Sequence, residues 1–326
     1  MLLLTKTVLS VMIGFLLATT LGLILIPLLK KLNVKQSLSI YMEEAHRKKS
    51  GTPTMGGLIF LIPTVATIFI LYFMNKIEIT TNLLMVLFVL IAYALIGFID
   101  DYLIIRRHNN KGLTEVQKLL GQVIIAIVFF FMFLKTGGET SLVISTLGIN
   151  IQMGWLYGLF ILFLLVGGSN AVNITDGLDG LAGGLSAIAF IAFGLISLNC
   201  GYEDIGIFCF ILCGALMGFL IFNIHPAKIF MGDTGSLALG ATLATIAILV
   251  RRELTLVIVA GVFIIETLTV IIQILWVKLF HKRLFLMTPL HHHFEKLGWS
   301  EVDIVKLFWT IGLTLCMAGI FFGVWL

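Results

Sequence analysis

Ten separate stretches of almost purely apolar residues recur along this chain of 326 residues, and they constrain its fold more than any other feature. Each stretch approaches the roughly 20 residues that an α-helix needs to cross about 30 Å of hydrocarbon. Together with a hydrophobic content of 60% and a mean hydropathy of +1.11, they predict an all-α polytopic membrane protein. The ten predicted spans cover 8–29, 55–74, 83–99, 116–134, 154–172, 181–198, 205–222, 235–250, 254–277 and 304–326.

The basic residues indicate how these spans are oriented. Sixteen of the 21 lysines and arginines fall in the connections after spans one, three, five, seven and nine, or in the adjoining helix ends. This asymmetry predicts that those five connections face the cytoplasm and that both termini lie outside. The net charge of +4 then reflects topology and not nucleic-acid binding. We expect one domain over 1–326, with a small external β-hairpin near 136–153.

The first cytoplasmic connection carries a basic cluster that runs into a turn. It reads His46-Arg47-Lys48-Lys49-Ser50-Gly51-Thr52-Pro53-Thr54-Met55-Gly56-Gly57. A basic cluster beside a span can simply attract anionic headgroups. The glycines and the proline nevertheless indicate a specific turn, which an electrostatic anchor alone does not need.

Two adjacent carboxylates, Asp100 and Asp101, stand at the inner end of the third span. Adjacent carboxylates repel each other, so the pair suits a cation or an anionic transition state bridged by one; a solvated helix end is the alternative. Basic residues follow at once, namely Arg106, Arg107, Lys111 and Lys118. Carboxylates beside cations can bind a phosphate through Mg²⁺ while the cations neutralise its remaining oxygens.

The third connection combines acidic, amide and glycine residues. It reads Asn173-Ile174-Thr175-Asp176-Gly177-Leu178-Asp179-Gly180-Leu181-Ala182-Gly183-Gly184. Asp176 and Asp179 are three residues apart, so they share a helix face if the sixth span continues through them. Acidic residues at a helix N-terminus can be simple caps, but capping does not explain this whole set. The glycines allow a flat ring or a sugar to approach the backbone closely.

The fourth connection holds a lone carboxylate, Asp233, among turn glycines between two apolar runs. It reads Asn223-Ile224-His225-Pro226-Ala227-Lys228-Ile229-Phe230-Met231-Gly232-Asp233-Thr234-Gly235-Ser236. Phe230 offers a stacking face, and Asn223 offers a bidentate amide. An aspartate in this setting suggests an active site in a membrane protein.

The fifth connection contains three consecutive histidines, His291, His292 and His293, followed by Phe294 and Glu295. Neighbouring residues on a helix point about 100° apart, so three in a row cannot all bind one small metal ion. The pattern favours a hydrogen-bonding strip for phosphates or sugar hydroxyls.

Together these segments resemble the polyprenyl-phosphate N-acetylhexosamine-1-phosphate transferases over the whole chain, in length, ten-span layout and loop order. The adjacent aspartates, Asn-x-x-Asp-Gly-x-Asp-Gly and Phe-Met-Gly-Asp-Thr-Gly-Ser match the wider superfamily. The Lys-x-Gly-Thr-Pro-Thr-Met-Gly-Gly loop and Pro-Leu-His-His-His-Phe-Glu point to its muramoyl-pentapeptide branch. No motif position departs from the family's pattern.

The resemblance implies transfer of phospho-N-acetylmuramoyl-pentapeptide from its UDP carrier to undecaprenyl phosphate, with release of UMP, at the cytoplasmic face of a bacterial plasma membrane. It implies that Asp233 binds Mg²⁺ and that Asp100 and Asp101 act on the lipid phosphate. The implied uridine contacts are Lys48, Asn173, Asp176, Asp179, Asn223 and Phe230, with Phe230 stacking on uracil. The implied contacts to the phosphates or the amino sugar are Lys118, His291, His292 and His293.

Two mechanisms are compatible with this reaction. In a single displacement, Asp100 orients or deprotonates the lipid phosphate, which attacks the donor β-phosphorus directly. In a two-step scheme, a carboxylate such as Asp233 first becomes phosphorylated. We favour the single displacement, because a residue needed to hold Mg²⁺ is a poor choice of nucleophile.

Two other functions fit part of the sequence. A sister enzyme with a UDP-N-acetylglucosamine donor would share most acidic motifs, but the triple-histidine segment argues against it. A transporter would place ionisable residues near the bilayer midplane on broken helices, and only Glu266 lies well inside a predicted span. The sequence does not determine the oligomeric state, so a homodimer stays open.

Overall fold

The computed structural model describes residues 3–31, 51–107, 112–144 and 149–325, and within these ranges the chain is mostly helical. A single two-stranded sheet interrupts the helices of the described part. In chain order the elements are α1 (Leu3–Lys31), α2 (Leu58–Phe73), α3 (Thr81–Arg107), α4 (Glu115–Lys135), β1 (Ser141–Ile144), β2 (Ile149–Gln152), α5 (Leu156–Thr175), α6 (Leu181–Asn199), α7 (Glu203–Asn223), α8 (Asp233–Leu249), α9 (Glu253–Val259), α10 (Gly261–Phe280), α11 (Leu290–Lys296) and α12 (Glu301–Trp325).

Eight of the described helices are long and apolar enough to cross a membrane, namely α1, α3, α4, α5, α6, α7, α10 and α12. Two further apolar helices are shorter, with 16 residues in α2 and 17 in α8. They coincide with the second and eighth predicted spans. The helical membrane fold is therefore confirmed, whereas ten complete spans and the outside position of both termini stay predictions.

The predicted ninth span, 254–277, is divided into two helices. Helix α9 ends at Val259 and α10 begins at Gly261, with Ala260 between them. Side chains over 271–280 are exposed apart from the half-buried Gln273, so this half of α10 leaves the helical body. Hydropathy does not indicate the break, because the residues on both sides of it are equally apolar.

Helix α8 is the centre of the molecule, since every residue from Thr234 to Leu249 is buried. It packs against α3 and α5, and small residues let the backbones approach closely. A Cβ atom on Gly97 of α3 would lie 2.1 Å from the carbonyl oxygen of Asp233. Only glycine fits there, so α3 fixes the position of the first residue of α8.

The predicted hairpin is present, because β1 and β2 pair in antiparallel register. Its base belongs to a polar group that we call the hairpin-end cluster, formed by Glu139, Ser141, Tyr157, Arg251 and Glu253. Arg251 forms an ion pair with Glu139 and donates a hydrogen bond of 2.7 Å to the Ser141 hydroxyl. The Tyr157 hydroxyl donates to the buried Glu253 carboxylate. These contacts attach the sheet to the far end of α8.

Candidate active site

Asp101 binds the N-terminus of α8. One of its carboxylate oxygens accepts hydrogen bonds from the Thr234 hydroxyl at 2.6 Å and from the Thr234 amide at 3.0 Å. The other oxygen accepts from the Asp233 amide at 3.3 Å. These amides are the unpaired donors at the start of a helix, where negative charge is stabilised. The buried Asp101 thus holds Asp233 in place from a neighbouring helix.

Lys118 lies between two other carboxylates. Its ammonium nitrogen is 2.7 Å from Asp233 Oδ2 and 3.2 Å from Asp100 Oδ2. The second oxygen of Asp100 accepts from the Leu113 amide at 2.7 Å, and that of Asp233 accepts from the Asn173 side chain at 2.8 Å. Three predicted connections therefore meet at one point. We call Asp100, Asp101, Asp176, Asp233 and Lys118 the carboxylate cluster.

Asp176 shows that negative charge is in excess in the carboxylate cluster. Burial raises the pKa of its carboxyl group well above the usual range, and the charges of Asp233, Asp101 and Asp179 raise it further. Its side chain is nevertheless partly exposed. A cation that entered the cluster would therefore be attracted by more carboxylates than Lys118 neutralises.

The donor atoms of the carboxylate cluster fit Mg²⁺. This ion prefers carboxylate oxygens and retains several of its waters, so one or two protein ligands are enough. Each oxygen of Asp233 and Asp100 has one hydrogen bond or ion-pair contact, which leaves lone pairs for a metal ion. The negative charges of Asp233, Asp101 and Asp179, which raise the pKa of Asp176, support the same conclusion.

Asp179 and Asn223 each bind a backbone group of the other's connection. Asn223 accepts from the Gly180 amide at 3.1 Å and donates to the Ile229 carbonyl at 2.9 Å. Asp179 accepts from the Ala227 amide at 3.0 Å. Both side chains are buried. They hold the third and fourth connections together, a function that the sequence pattern did not distinguish from direct ligand binding.

A second group of potential metal ligands lies beside that junction. Asp179, His225 and Glu301 each place one ligand atom within 4.8 Å of the others. Glu301 also accepts from the Asp179 amide at 2.7 Å. An imidazole nitrogen suits zinc-like ions more than Mg²⁺, so this group differs in kind from the carboxylate cluster. Its hydrogen bonds attach the first residue of α12 to the loops.

The turn of the first connection pairs with the segment that contains Phe230. The Phe230 amide donates to the Pro53 carbonyl and the Gly56 amide donates to the Phe230 carbonyl, both at 2.8 Å. The Phe230 ring itself is partly exposed. The two connections therefore form one surface beside Asp233. Lys48 lies outside the described residues.

The three histidines lie on α11 and have three different environments. His291 is buried beside Glu266 of α10. His292 contacts the Glu295 carboxylate at 2.5 Å, and His293 Nδ1 accepts a backbone amide of the preceding loop at 3.2 Å. The structure thus places His292 and His293 beside the loops and His291 beneath them.

Sequence reasoning did not single out three residues that contact the predicted ones. The Ser236 hydroxyl accepts a hydrogen bond of 2.9 Å from the Asn173 side chain. Ser236 is one helical turn after Asp233, and this spacing could have indicated from the sequence that the two residues share a helix face. Thr234 adjoins Asp233 and was equally accessible. Glu301 is 122 residues from Asp179, and no local pattern connects them.

Two family models match this chain. Residues 83–251 match Glycosyl transferase family 4, which covers all members of the carboxylate cluster. Residues 49–61 match Phospho-N-acetylmuramoyl-pentapeptide-transferase signature 1, which covers the turn that pairs with Phe230.

Curated relatives match almost the full length. The Bacillus licheniformis phospho-N-acetylmuramoyl-pentapeptide-transferase is 48% identical over 317 residues, which is 97% of this chain and 98% of the relative. The proteins of the same name from Geobacillus sp. (strain WCH70) and Bacillus subtilis (strain 168) are 49% and 48% identical, over 98% and 97% of this chain and 98% of each relative. The resemblance is thereby confirmed, and the chain belongs to the phospho-N-acetylmuramoyl-pentapeptide-transferase family.

Proposed function

We propose that this membrane protein transfers phospho-N-acetylmuramoyl-pentapeptide from UDP-N-acetylmuramoyl-pentapeptide to undecaprenyl phosphate, and that it releases UMP. The product is the first lipid-linked precursor of peptidoglycan. The observation that carries the proposal is the position of Lys118 between Asp100 and Asp233 at the N-terminus of α8. Phosphoryl transfer depends on such positioned charges, because there is little covalent chemistry for the protein to perform.

The proposed site lies where its two substrates can meet. The polyprenyl acceptor dissolves only in the bilayer, whereas the nucleotide donor dissolves only in water. Asp100 and Asp233 lie at the ends of apolar helices, and the loops around them carry most of the basic residues. By the positive-inside rule, the carboxylate cluster then faces the cytoplasm and both chain termini face outward.

Asp233 would hold Mg²⁺, and the bound ion would supply positive charge for the pyrophosphate during transfer. Lys118 neutralises part of the same charge from the protein side. The amides at the start of α8 also favour a bound anion, although Asp101 already occupies those of Asp233 and Thr234. Asp101 therefore acts as a positioning residue for Asp233.

The reaction proceeds by a single displacement. An oxygen of the lipid phosphate forms a bond to the donor β-phosphorus, the bond from that phosphorus to the bridging oxygen breaks, and UMP leaves. Asp100 orients the acceptor and takes the proton that a monoprotonated acceptor carries. Asp233 is unsuited to covalent attack, because a carboxylate needed to hold Mg²⁺ is a poor choice of nucleophile.

The donor binds along the loops beside the carboxylate cluster. The Phe230 ring stacks on uracil, and Asn173 and Asp176 bind the uridine from the third connection. Asp179 and Asn223 keep this uridine site in shape through their backbone hydrogen bonds. His292 and His293 contact the phosphates or the amino sugar. Lys48 stays a predicted uridine contact.

The proposal is tested by measuring UMP release from purified protein with Mg²⁺ and undecaprenyl phosphate. With the muramoyl-pentapeptide donor, UMP and lipid-linked product should form in equal amounts. If UMP were released with UDP-N-acetylglucosamine as donor but not with the muramoyl-pentapeptide donor, the protein would instead be a sister enzyme. No release with either donor, from protein that remains folded, would contradict a transferase function and favour the transporter alternative.

A further inference from the structure

Glu266 is an acidic residue inside a membrane-spanning helix, and the proposed reaction does not use it directly. It lies on α10 and its side chain is fully buried. A carboxylate in this environment is costly unless it is paired and hydrogen-bonded. The partners that offset this cost therefore indicate what Glu266 does.

The partner of Glu266 is His291, at the start of α11. One oxygen of Glu266 accepts from the His291 amide at 3.2 Å, and the other lies 3.1 Å from His291 Nδ1. The carboxylate therefore binds both the backbone and the ring of the same residue. An Nδ1–H that donates to a carboxylate fixes the ring orientation and directs Nε2 to the opposite side.

His291 Nε2 is buried and has no hydrogen-bond partner among the described residues. A Cβ atom on Gly177 would lie 2.3 Å from this nitrogen, so the ring packs directly beneath the Gly177 backbone. Because Nε2 forms no bond of its own, all directional restraint on the ring comes from Glu266. The ring supports the turn that carries Asp176 and Asp179.

A second polar side chain of α10 has a similar task. The Gln273 side chain accepts from the Leu284 and Phe285 amides, both at 3.0 Å, and donates to the Phe285 carbonyl at 3.1 Å. Gln273 is seven residues after Glu266, about two helical turns away and on the same face. Helix α10 thus holds the loop before α11 as well as α11 itself.

We propose that Glu266 and His291 form a positioning pair that fixes the distance between the Gly177 turn and α11. The pair thereby determines the affinity of the site for uridine nucleotides. The proposal rests on the function proposed above, because it assigns the third connection to the donor. Glu266 touches no substrate; it acts through the imidazole and then through Gly177 on Asp176 and Asp179. The predicted effect is therefore on nucleotide binding and not on the chemical step.

The test replaces Glu266 by glutamine, which keeps the size of the side chain. A glutamine oxygen can accept from the His291 amide, but its NH₂ group then donates to Nδ1. The ring must adopt its other tautomer, which directs an N–H group at Gly177. We expect the dissociation constant for UMP, measured by calorimetry, to rise about 10- to 100-fold, by analogy with the losses seen when the carboxylate that orients a metal-binding histidine is removed. The kcat at saturating donor should change less than about threefold.

Glu253→Gln is the matched control, because Glu253 is another buried carboxylate and hydrogen-bonds to Tyr157 far from the loops. It should leave the affinity for UMP unchanged. Unchanged UMP affinity in Glu266→Gln would overturn the proposal, and so would equal losses in both variants. Absence of UMP release by a wild-type protein that binds UMP would instead contradict the proposed transferase reaction.

Gly177→Ala tests the same turn if Glu266→Gln does not fold. Its methyl group forces the turn away from His291 and should weaken UMP binding in the same range. Gly167→Ala on α5 is its control, since a Cβ atom there meets nothing within 4 Å. If UMP binds Gly177→Ala as tightly as the wild type, the turn does not determine nucleotide affinity and the proposal is wrong.

Discussion

The two ends of α8 both bury carboxylates, but they balance the charges differently. In the hairpin-end cluster each carboxylate has its own partner, because Glu139 pairs with Arg251 and Glu253 accepts from Tyr157. Burial raises the pKa of Glu253, while its hydrogen bonds and the nearby arginines lower it. At Asp176 of the carboxylate cluster the neighbouring charges act in the same direction as burial and raise the pKa further. Buried charge alone is therefore a structural feature, whereas unbalanced like charge indicates a site that binds a cation or a charged ligand.

The largest effect is expected for Asp233→Asn. This change keeps the shape of the side chain but removes the charge that binds Mg²⁺ and Lys118, so kcat/KM should fall about 1000-fold or more while the protein stays folded. UMP release at saturating Mg²⁺ is the measurement.

Glu253→Gln makes the corresponding change in the hairpin-end cluster, at the other end of α8. Its activity should stay within about twofold of the wild type. If Glu253→Gln lost as much activity as Asp233→Asn, the two clusters would not differ in function. Activity of more than a few per cent in Asp233→Asn would contradict the metal assignment.

Lys118→Met should have the next largest effect. The variant leaves Asp100 and Asp233 without the cation between them, and the transferred phosphate loses a compensating charge. We expect kcat/KM to fall about 100-fold, within the range for removal of one preorganised electrostatic group. Lys135→Met is the control, because Lys135 is exposed at the other end of the same helix. Similar losses in the two variants would show that the position of Lys118 is not what matters.

Phe230→Ala should have a more selective effect. Stacking of a base on an aromatic ring contributes about 1–3 kcal/mol, so uridine nucleotides should bind roughly ten- to a hundred-fold more weakly. Binding of undecaprenyl phosphate should hardly change, because the stacking interaction involves only the donor. Calorimetry with each ligand separately is the measurement. Equal loss of both ligands would mean that the loop has collapsed, and the stacking assignment would be wrong.

The smallest effect is a pH-dependent change of stability in Asp176→Asn. Because the folded-state pKa of Asp176 is raised, the folded protein binds this proton more strongly than the unfolded chain. The stability contributed by that proton is present near the usual aspartate pKa of 3.8 and is lost as pH rises through the folded-state value. Asparagine removes this loss, so the Tm of the variant should exceed that of the wild type by about 2–4 °C at neutral pH, the shift typical of 1 kcal/mol in a large domain.

The difference in Tm between Asp176→Asn and the wild type should narrow as the pH is lowered. Glu78→Gln changes an exposed carboxylate and serves as the control; its Tm curve should run parallel to that of the wild type. A parallel curve for Asp176→Asn would show that charge is balanced at both ends of α8, and the comparison would fail.

Much of the fold could be predicted from the sequence, because length and hydropathy determine which segments are membrane helices. Seven predicted spans correspond to single helices of full length, the predicted ninth span holds one more long helix after its break, and the hairpin lies where its β-branched residues indicated. The break at Ala260 could not be predicted, since it depends on how α9 and α10 pack and not on their composition.

The residues of the candidate site could be predicted from the sequence, but the separate role of each residue could not. Composition and spacing singled out Asp101, Asn223 and Asp233 alike. Only the structure shows that Asp101 and Asn223 accept hydrogen bonds from backbone amides of other connections, whereas Asp233 is bound by side chains of two other connections. The contacts of Asp233 join residues far apart in the chain, with 60 positions between Asn173 and Asp233 and 132 between Asp101 and Asp233, so no local pattern encodes them.

Gly97 shows that a residue without a functional side chain can be as sensitive to substitution as the charged residues of the site. It has no side chain, it lies in an apolar helix, and nothing in its chemistry suggests a role in a reaction. Yet the carbonyl oxygen of Asp233 occupies the space where any larger residue would place its Cβ, 2.1 Å away. A survey of all single substitutions should therefore find Gly97 as intolerant as the charged residues, and an alanine there should inactivate the protein by displacing the aspartate.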